Sequence, residues 1–334
     1  MSEIEVKLEV ELVDVLSYIE TLSNYPKIDI FKQKIEKLVQ TKYKNSKCYL
    51  HGSNASKLSL KNSDVDICVD IDKITWSEFS EVMIKIFEKN KFTNIKNIEA
   101  KTNLIKFYDP IEKLDCDLAF DSNFCVKKAE IINQYTKLNS KVRDLILLVK
   151  YFVKKRNIYQ STEGYPNSLC YSMMCLYFLQ YSNIIPIFKH KMLKNEEIEY
   201  DFETIKENQS DQDISISNLF IGFMNFYAFQ FDFENDCISV REGKNIPKKE
   251  TEISKTNTPI SINFVRLLIF FQVFCVEDPM ILTENCCRSV TNHTLRYLRS
   301  EFNRCQDLLK KGKNFEFVCK IGKIKNDREK WRVE

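Results

Sequence analysis

Asp64 and Asp66 stand two residues apart in Ser63-Asp64-Val65-Asp66-Ile67-Cys68-Val69, a β-branched run that begins ten residues after Ser53. On a strand, that spacing points both carboxylates out of one face. Gly52, in Tyr49-Leu50-His51-Gly52-Ser53, is the only glycine before Gly164 in a chain with six. A glycine at the end of an apolar run marks backbone that another group must approach closely. A Gly-Ser turn beside two same-face carboxylates suits a triphosphate and its magnesium ions, because backbone N–H groups meet phosphate and carboxylates meet hard cations. Two cations about 3.5–4 Å apart need bridging ligands from more than one strand, so a third carboxylate is expected. Leu114-Asp115-Cys116-Asp117-Leu118 supplies Asp115 and Asp117, which share a face, and spacing alone leaves both open. Asp70 and Asp72 read as solvated acids at a strand end.

Lys150 and Lys154 lie one helical turn apart in Leu147-Leu148-Val149-Lys150-Tyr151-Phe152-Val153-Lys154. Like charges at that spacing cost a few tenths of a kcal/mol, and an anion between them reverses the sign. Lys155 and Arg156 instead suit the negative end of the helix dipole. Ser168 opens the next helical stretch, where a serine either caps the helix or meets an anion.

The elements that must position these groups follow from periodicity. Apolar spacing predicts N-terminal helices over about 8–23 and 29–43. Strands are expected at Cys48 to Gly52, Val65 to Ile71, Asn103 to Phe107 and Leu114 to Phe120, with a turn or short helix over Asn54 to Ser63. A helix is expected over Trp76 to Lys89, capped by Thr75 or Ser77. Beyond this the pattern is helical over about 125–136, 139–156, 167–182, 214–230, 260–275 and 289–311. Lys189 to Gln212 and Lys244 to Thr258 read as polar loops, and Phe315 to Ile321 as a strand in a basic tail. Phe220, Phe223, Phe226, Tyr227 and Phe229 form an aromatic stripe that reads as core. Arg296, Arg299 and Arg304 with Lys310, Lys311 and Lys313 suit an RNA-facing patch and a solvated helix equally.

The 334 residues are 44% hydrophobic and 29% charged, the composition of a globular protein long enough for two domains. A net charge of +3 gives a weak overall field, so a nucleic acid must meet a local basic patch. The acidic start lacks the blocks of a signal peptide, and the most apolar stretch, Phe264 to Val276, is too short to span a bilayer. No membrane partner is expected. The 12 cysteines include no Cys-x-x-Cys pair, which speaks against zinc. They are expected to be reduced thiols in the cytoplasm or nucleus.

From His51-Gly52-Ser53 through Asp64-Val65-Asp66, then Cys116-Asp117-Leu118, Tyr135-Thr136-Lys137-Leu138, Leu147 to Lys150, Phe223 to Val240 and Val276-Glu277-Asp278-Pro279, the chain resembles one family. It is similar to the Cid-type template-independent RNA nucleotidyltransferases, the terminal uridylyltransferases and cytoplasmic poly(A) polymerases of the DNA polymerase β-like superfamily. The likeness runs from about 45 to 305. It implies an α+β fold with a small mixed-sheet catalytic domain over 30–123. A helical domain over 1–29 and 124–334 would complete it, with a nucleotide cleft between the two. It implies Asp117 as the third metal ligand and two Mg²⁺ or Mn²⁺ ions. Gly52, Ser53, Lys150, Lys154 and Ser168 would hold the phosphates of an NTP.

The departures from the family's pattern are informative. A second glycine usual after the Gly-Ser turn is replaced at Ser56-Lys57. The uracil-stacking tyrosine falls at Leu169, a ribose-side asparagine at Lys128, and the histidine that reads uracil at Glu284. An ionised carboxylate only accepts hydrogen bonds, so Glu284 repels uracil O4 and suits the amine of adenine or cytosine. The resemblance therefore implies ATP over UTP. A catalytically silent RNA-binding scaffold is the alternative of a different class. The expected RNA partner is a 3′ end, held weakly in the cleft or delivered by an RNA-binding protein.

Overall fold

The computed structural model describes residues 2–320 except 24, 73, 101, 121–122, 194–197, 206–213 and 256–272. The expected helix over 260–275 lies outside the described residues except at its end. The chain divides into two compact units, one of Ile19–Gln134 and one of Met1–Tyr18 with Tyr135–Glu334.

In chain order the first elements are α1 (Glu3–Thr21), α2 (Tyr25–Gln40), β1 (Lys47–Leu50), α3 (Gly52–Ala55) and β2 (Val65–Asp70). They are followed by α4 (Trp76–Lys89), β3 (Thr93–Ile98), β4 (Leu104–Asp109), β5 (Leu114–Phe120) and α5 (Asn123–Leu138). The five strands form one sheet in the order β1-β2-β5-β4-β3. Only β2 and β5 run parallel, and the other neighbours are antiparallel. Strand alternation explains the layering. Val65, Ile67 and Val69 of β2, Ile105 and Phe107 of β4, and Cys116 and Leu118 of β5 turn one way, into a core with Phe31, Ile35 and Val39 of α2 and Phe79, Met83 and Phe87 of α4. Burying each such side chain stabilises the unit by roughly 1.5–3 kcal/mol. The intervening residues, Asp66, Lys106 and Asp117 among them, face away from α2 and α4. Thr75 caps α4 with a reciprocal bond to Glu78, which settles the two expected caps in its favour.

The other unit contains α6 (Ser140–Lys155), α7 (Ser168–Tyr181), β6 (Phe188–Met192), β7 (Ile198–Ile205), α8 (Ile216–Asn225), β8 (Asp236–Ser239) and β9 (Lys244–Pro247). It ends with α9 (Glu252–Lys255), β10 (Cys275–Val276), α10 (Asn292–Lys310) and α11 (Phe315–Cys319). Its helices bury Leu148, Phe152, Leu176, Phe220, Phe223, Tyr227, Leu298 and Phe302. Glu9 and Glu11 of α1 accept hydrogen bonds from the backbone of Ile216 and Ser217 and of Phe315, holding α1 to two helix starts.

Four expectations are corrected. The polar stretch from Lys189 contains a hairpin, β6 paired antiparallel with β7, that buries Phe188 and Ile198 while its lysines face solvent. The stretch from Lys244 contains β9 and α9. Phe315 to Cys319 is helical because Asn314 accepts a hydrogen bond from Phe317 N at 2.8 Å and Phe315, Val318 and Cys319 share a buried face. Phe229 leaves the aromatic stripe, at 57% exposure, because 226–230 is a π-helical turn with a different period.

Candidate active site

Three polar side chains lie in one row across the sheet. Asp66 of β2 is the register partner of Asp117 of β5, and Asp117 is the register partner of Lys106 of β4. Neighbouring strands lie about 4.8 Å apart, so partners on one face touch or share an ion. Lys106 forms an ion pair with Asp117 Oδ2. Burial works against the Lys106 charge, but the Asp117 hydrogen bond and the fields of Asp117, Asp64 and Asp66 outweigh it and hold its ammonium above the usual lysine range. Burial also lifts Asp117 above the usual carboxylate range, with Asp64 and Asp115 adding to it, and Lys106 only partly offsets this. Asp115, one step nearer the strand start, is exposed and pairs in register with Tyr108.

The turn before β2 is built to let Asp66 in. His51 N donates to Asp66 O at 3.0 Å, and the chain then turns at Gly52 with φ +58°. A Cβ on Gly52 would stand 2.5 Å from Asp66 Oδ2, so the glycine is required both by its backbone and by the carboxylate packed against it. The buried Asn54 donates to Asp64 O at 2.8 Å, which fixes the start of β2, and Asn133 of α5 braces the turn through Ala55 O at 3.0 Å. Lys57, where the resemblance leads one to expect glycine, takes a left-handed φ of +54°. Leu58 N closes the turn on Ser53 O at 2.8 Å, so the glycine's conformation persists with a lysine in it. Ser53 is half-buried. His51, in a desolvated position, has its imidazole pushed down to about 4.

Among the described residues, no three acidic, cysteine or histidine side chains are close enough to hold a metal ion as they stand. The chemistry of the set nevertheless fits one. The donors are hard carboxylate oxygens on adjacent strands, and the Lys106 ammonium already places positive charge where the fields of all three aspartates act on it.

In the other unit, Lys150 is buried to 8% exposure amid the apolar residues of α6, with its field reaching the Cys175 thiol of α7, while Lys154 is half-buried. Ser168 is the first residue of α7 and is exposed. The capping oxygen is that of Asn167, which accepts from Cys170 N at 2.9 Å, so the serine is not the cap. Leu169 follows, half-buried. Glu284 lies in a turn anchored by Asn285, whose side chain accepts from Val276 N and Cys287 N and donates to Phe274 O. The Glu284 carboxylate meets Arg288 at 3.3 Å. Lys128, on α5, is half-buried in the sheet unit. Two arginines of the expected basic patch serve the fold: Arg299 donates to Ala228 O, and Arg304 to Glu301 and Val318 O.

Sequence reasoning missed Lys106 and the Cys170–Cys287 bond. Lys106 was recoverable, since a turn over 110–113 between two antiparallel strands sets 106 opposite 117. The bond joins residues 117 apart whose Cα atoms are 6.1 Å from each other, and no spacing rule reaches that far. It corrects the expectation that the thiols are all reduced.

Two family profiles match the chain. "Poly(A) RNA polymerase, mitochondrial-like, central palm domain" covers residues 12–137 and "Cid1 family poly A polymerase" covers 215–284. Poly(A) RNA polymerase cid11 of Schizosaccharomyces pombe is 24% identical over 87% of this chain and 60% of its own. Terminal uridylyltransferase cid1 of the same yeast is 26% identical over 77% of this chain and 67% of its own. Poly(A) RNA polymerase GLD2-A of Xenopus laevis is 24% identical over 97% and 62%. The chain thus spans about three fifths of the length of cid11 and GLD2-A. In fold it is similar to a solved cytoplasmic RNA terminal U-transferase, with a TM-score of 0.76 at 21% identity, covering 95% of this chain and 99% of that one. Cid1 in complex with its short product ApU gives 0.76 at 21% identity over 92% and 94%. No helix among the described residues is long and apolar enough to cross a membrane. With profiles matching both its sheet unit and the later helical region, the chain belongs to the Cid-type family of poly(A) and poly(U) polymerases.

Proposed function

We propose that the protein is a template-independent RNA 3′-terminal nucleotidyltransferase that favours ATP. The observation that carries this is the row Asp66–Asp117–Lys106, with Gly52 making room for the Asp66 carboxylate. The RNA 3′-hydroxyl attacks the α-phosphate of an NTP, and pyrophosphate leaves. Asp64, Asp66 and Asp117 would hold the divalent cations, Mg²⁺ or Mn²⁺. Bound there, the cations neutralise the triphosphate and lower the pKa of the attacking hydroxyl. Asp117, beside Asp66 in register, is better placed for this than Asp115. Lys106 holds Asp117 in position by direct contact. Gly52 and Ser53 meet phosphate at the turn. Lys150 and Lys154 give charge-assisted contacts to the outer phosphates, and Ser168 adds a hydroxyl and Leu169 an apolar surface for the base.

The choice of base rests on Glu284. A carboxylate has room for about four hydrogen bonds, and the Glu284 carboxylate, beside Arg288, would accept one from the exocyclic amine of adenine. A second reading has an observation in its favour: the Arg288 guanidinium beside Glu284 is a donor that suits a uracil carbonyl, and it would make UTP the substrate. The test incubates the protein with an RNA oligonucleotide and each of the four NTPs, with Mg²⁺ or Mn²⁺. ATP should extend the RNA best, and Glu284→His should shift selectivity toward UTP. A clear UTP preference in the unmodified protein overturns the ATP reading, and no extension with any NTP favours the silent scaffold.

A further inference from the structure

Cys170 is the third residue of α7, directly after Leu169, and Cys287 lies three residues after Glu284. A disulfide joins them, with Cα atoms 6.1 Å apart, inside the normal range for such a bridge. The two segments are also held by Ser289 Oγ, which donates to Tyr165 O at 3.0 Å, and by the Thr294 hydroxyl, which donates to Gly164 O. Those contacts lie on the far side of Cys287 from Glu284. On the near side, the side chain of Asn285 anchors its turn to Phe274 O, Val276 N and Cys287 N. The disulfide is therefore the covalent tie between the start of α7 and the segment carrying Glu284. Both of its cysteines are buried, whereas the adjacent Cys286 is half-buried.

We propose that Cys170 and Cys287 form a reversible redox clamp that sets how tightly the nucleotide is held. The inference rests on reading Ser168, Leu169 and Glu284 as nucleotide contacts. In the oxidising step each thiol gives up its hydrogen, one S–S bond forms, and a peroxide is reduced to two molecules of water. A thiol reductant reverses the change by thiol–disulfide exchange and is itself oxidised to a disulfide. Reduction frees the turn bearing Glu284 from α7 while leaving the Ser289 and Thr294 contacts in place. The nucleotide then has to order that turn as it binds. Pre-organisation by the bond should thus tighten ATP binding by about fivefold.

The full chain is treated with hydrogen peroxide or with dithiothreitol, alkylated and weighed, and its affinity for MgATP is measured by equilibrium dialysis. The oxidised protein should lack alkyl groups at Cys170 and Cys287 and bind ATP about fivefold more tightly. Cys287→Ser and Cys287→Ala should bind as the reduced protein does in either condition, whereas Cys286→Ser should keep the full response. Alkylation of both cysteines after peroxide overturns the proposal, as does a bond that forms without changing ATP affinity. Loss of the response in Cys286→Ser but not in Cys287→Ser also overturns it. A protein that binds no NTP in either state refutes the nucleotide reading itself, and the clamp falls with it.

Discussion

Replacing Gly52 by alanine separates the position of the Asp66 carboxylate from its identity. The backbone there has φ +58°, a conformation that costs a residue with a Cβ roughly 1–2 kcal/mol. The added Cβ would also stand 2.5 Å from Asp66 Oδ2, 3.1 Å from Cγ and 3.4 Å from its Cβ. Ordinary contacts begin near 3.4 Å, so the carboxylate must move by roughly 1 Å, a displacement able to lower a rate about a hundredfold when the group positions a reacting centre. Gly312→Ala is the control. Its φ is +72°, yet among the described residues its Cβ would meet only Ile4, at an ordinary 3.7 Å. Both variants should therefore lose a similar 1–2 kcal/mol, roughly, in urea denaturation. Only Gly52→Ala should lose activity, by about a hundredfold in the initial rate of RNA extension at saturating NTP and magnesium. If Gly52→Ala extends RNA within threefold of Gly312→Ala, Asp66 is not where the chemistry happens and the reading of the row fails.

Three further outcomes follow from the same structure. Asp64→Ala, Asp66→Ala and Asp117→Ala should each abolish tailing with the fold intact by circular dichroism, while the exposed Asp115→Ala keeps appreciable activity; the reverse result for Asp115 and Asp117 would reassign the third ligand. Lys150→Met should weaken NTP binding by about 1.5–3 kcal/mol, the worth of a charge-assisted contact, and unchanged affinity in a dialysis measurement would return Lys150 to a packing role. His51 should make the fold acid-sensitive: with its folded pKa near 4 and an unfolded value of 6.5, the unfolded chain binds the proton first, so stability is lost as pH falls below 6.5. From pH 7 to pH 5, that loss should be about 1–2 kcal/mol in urea denaturation with chelator present, and His51→Leu should remove this part of the slope.

Much of the sheet unit was legible because its chemistry follows local periods. Leu114 to Phe120 and Trp76 to Lys89 appear where the alternation and the helical spacing put them, and Thr75 caps as its side chain allows. Asp66 stands on β2, whereas Asp64, expected on the same strand face, precedes the strand by one residue and is exposed. The hairpin β6–β7 was not legible, because Lys189, His190 and Lys191 make one strand polar and Phe188 alone of its five residues is buried. Nor was β10, two residues that pair in parallel with a strand from nearly forty positions earlier.

The choice between Asp115 and Asp117 shows where local reading stops and what replaces it. Within β5, Asp115 and Asp117 are equivalent, two acids on one face of one strand. They become different only through their neighbours. Parallel pairing with β2 sets Asp117 beside Asp66, and antiparallel pairing with β4 sets Lys106 against it. The first relation is long-range, since it depends on the crossover from β2 through α4, β3 and β4, and one residue of slip would turn Asp117 into the core. The second is short-range, fixed by the turn over 110–113. A lysine placed by a tight turn opposite one of two otherwise equal carboxylates is thus a local mark of which acid faces the shared charge. The ion pair with Asp117 is the physical form of that mark, and it makes the choice between the two aspartates a matter of register rather than of composition.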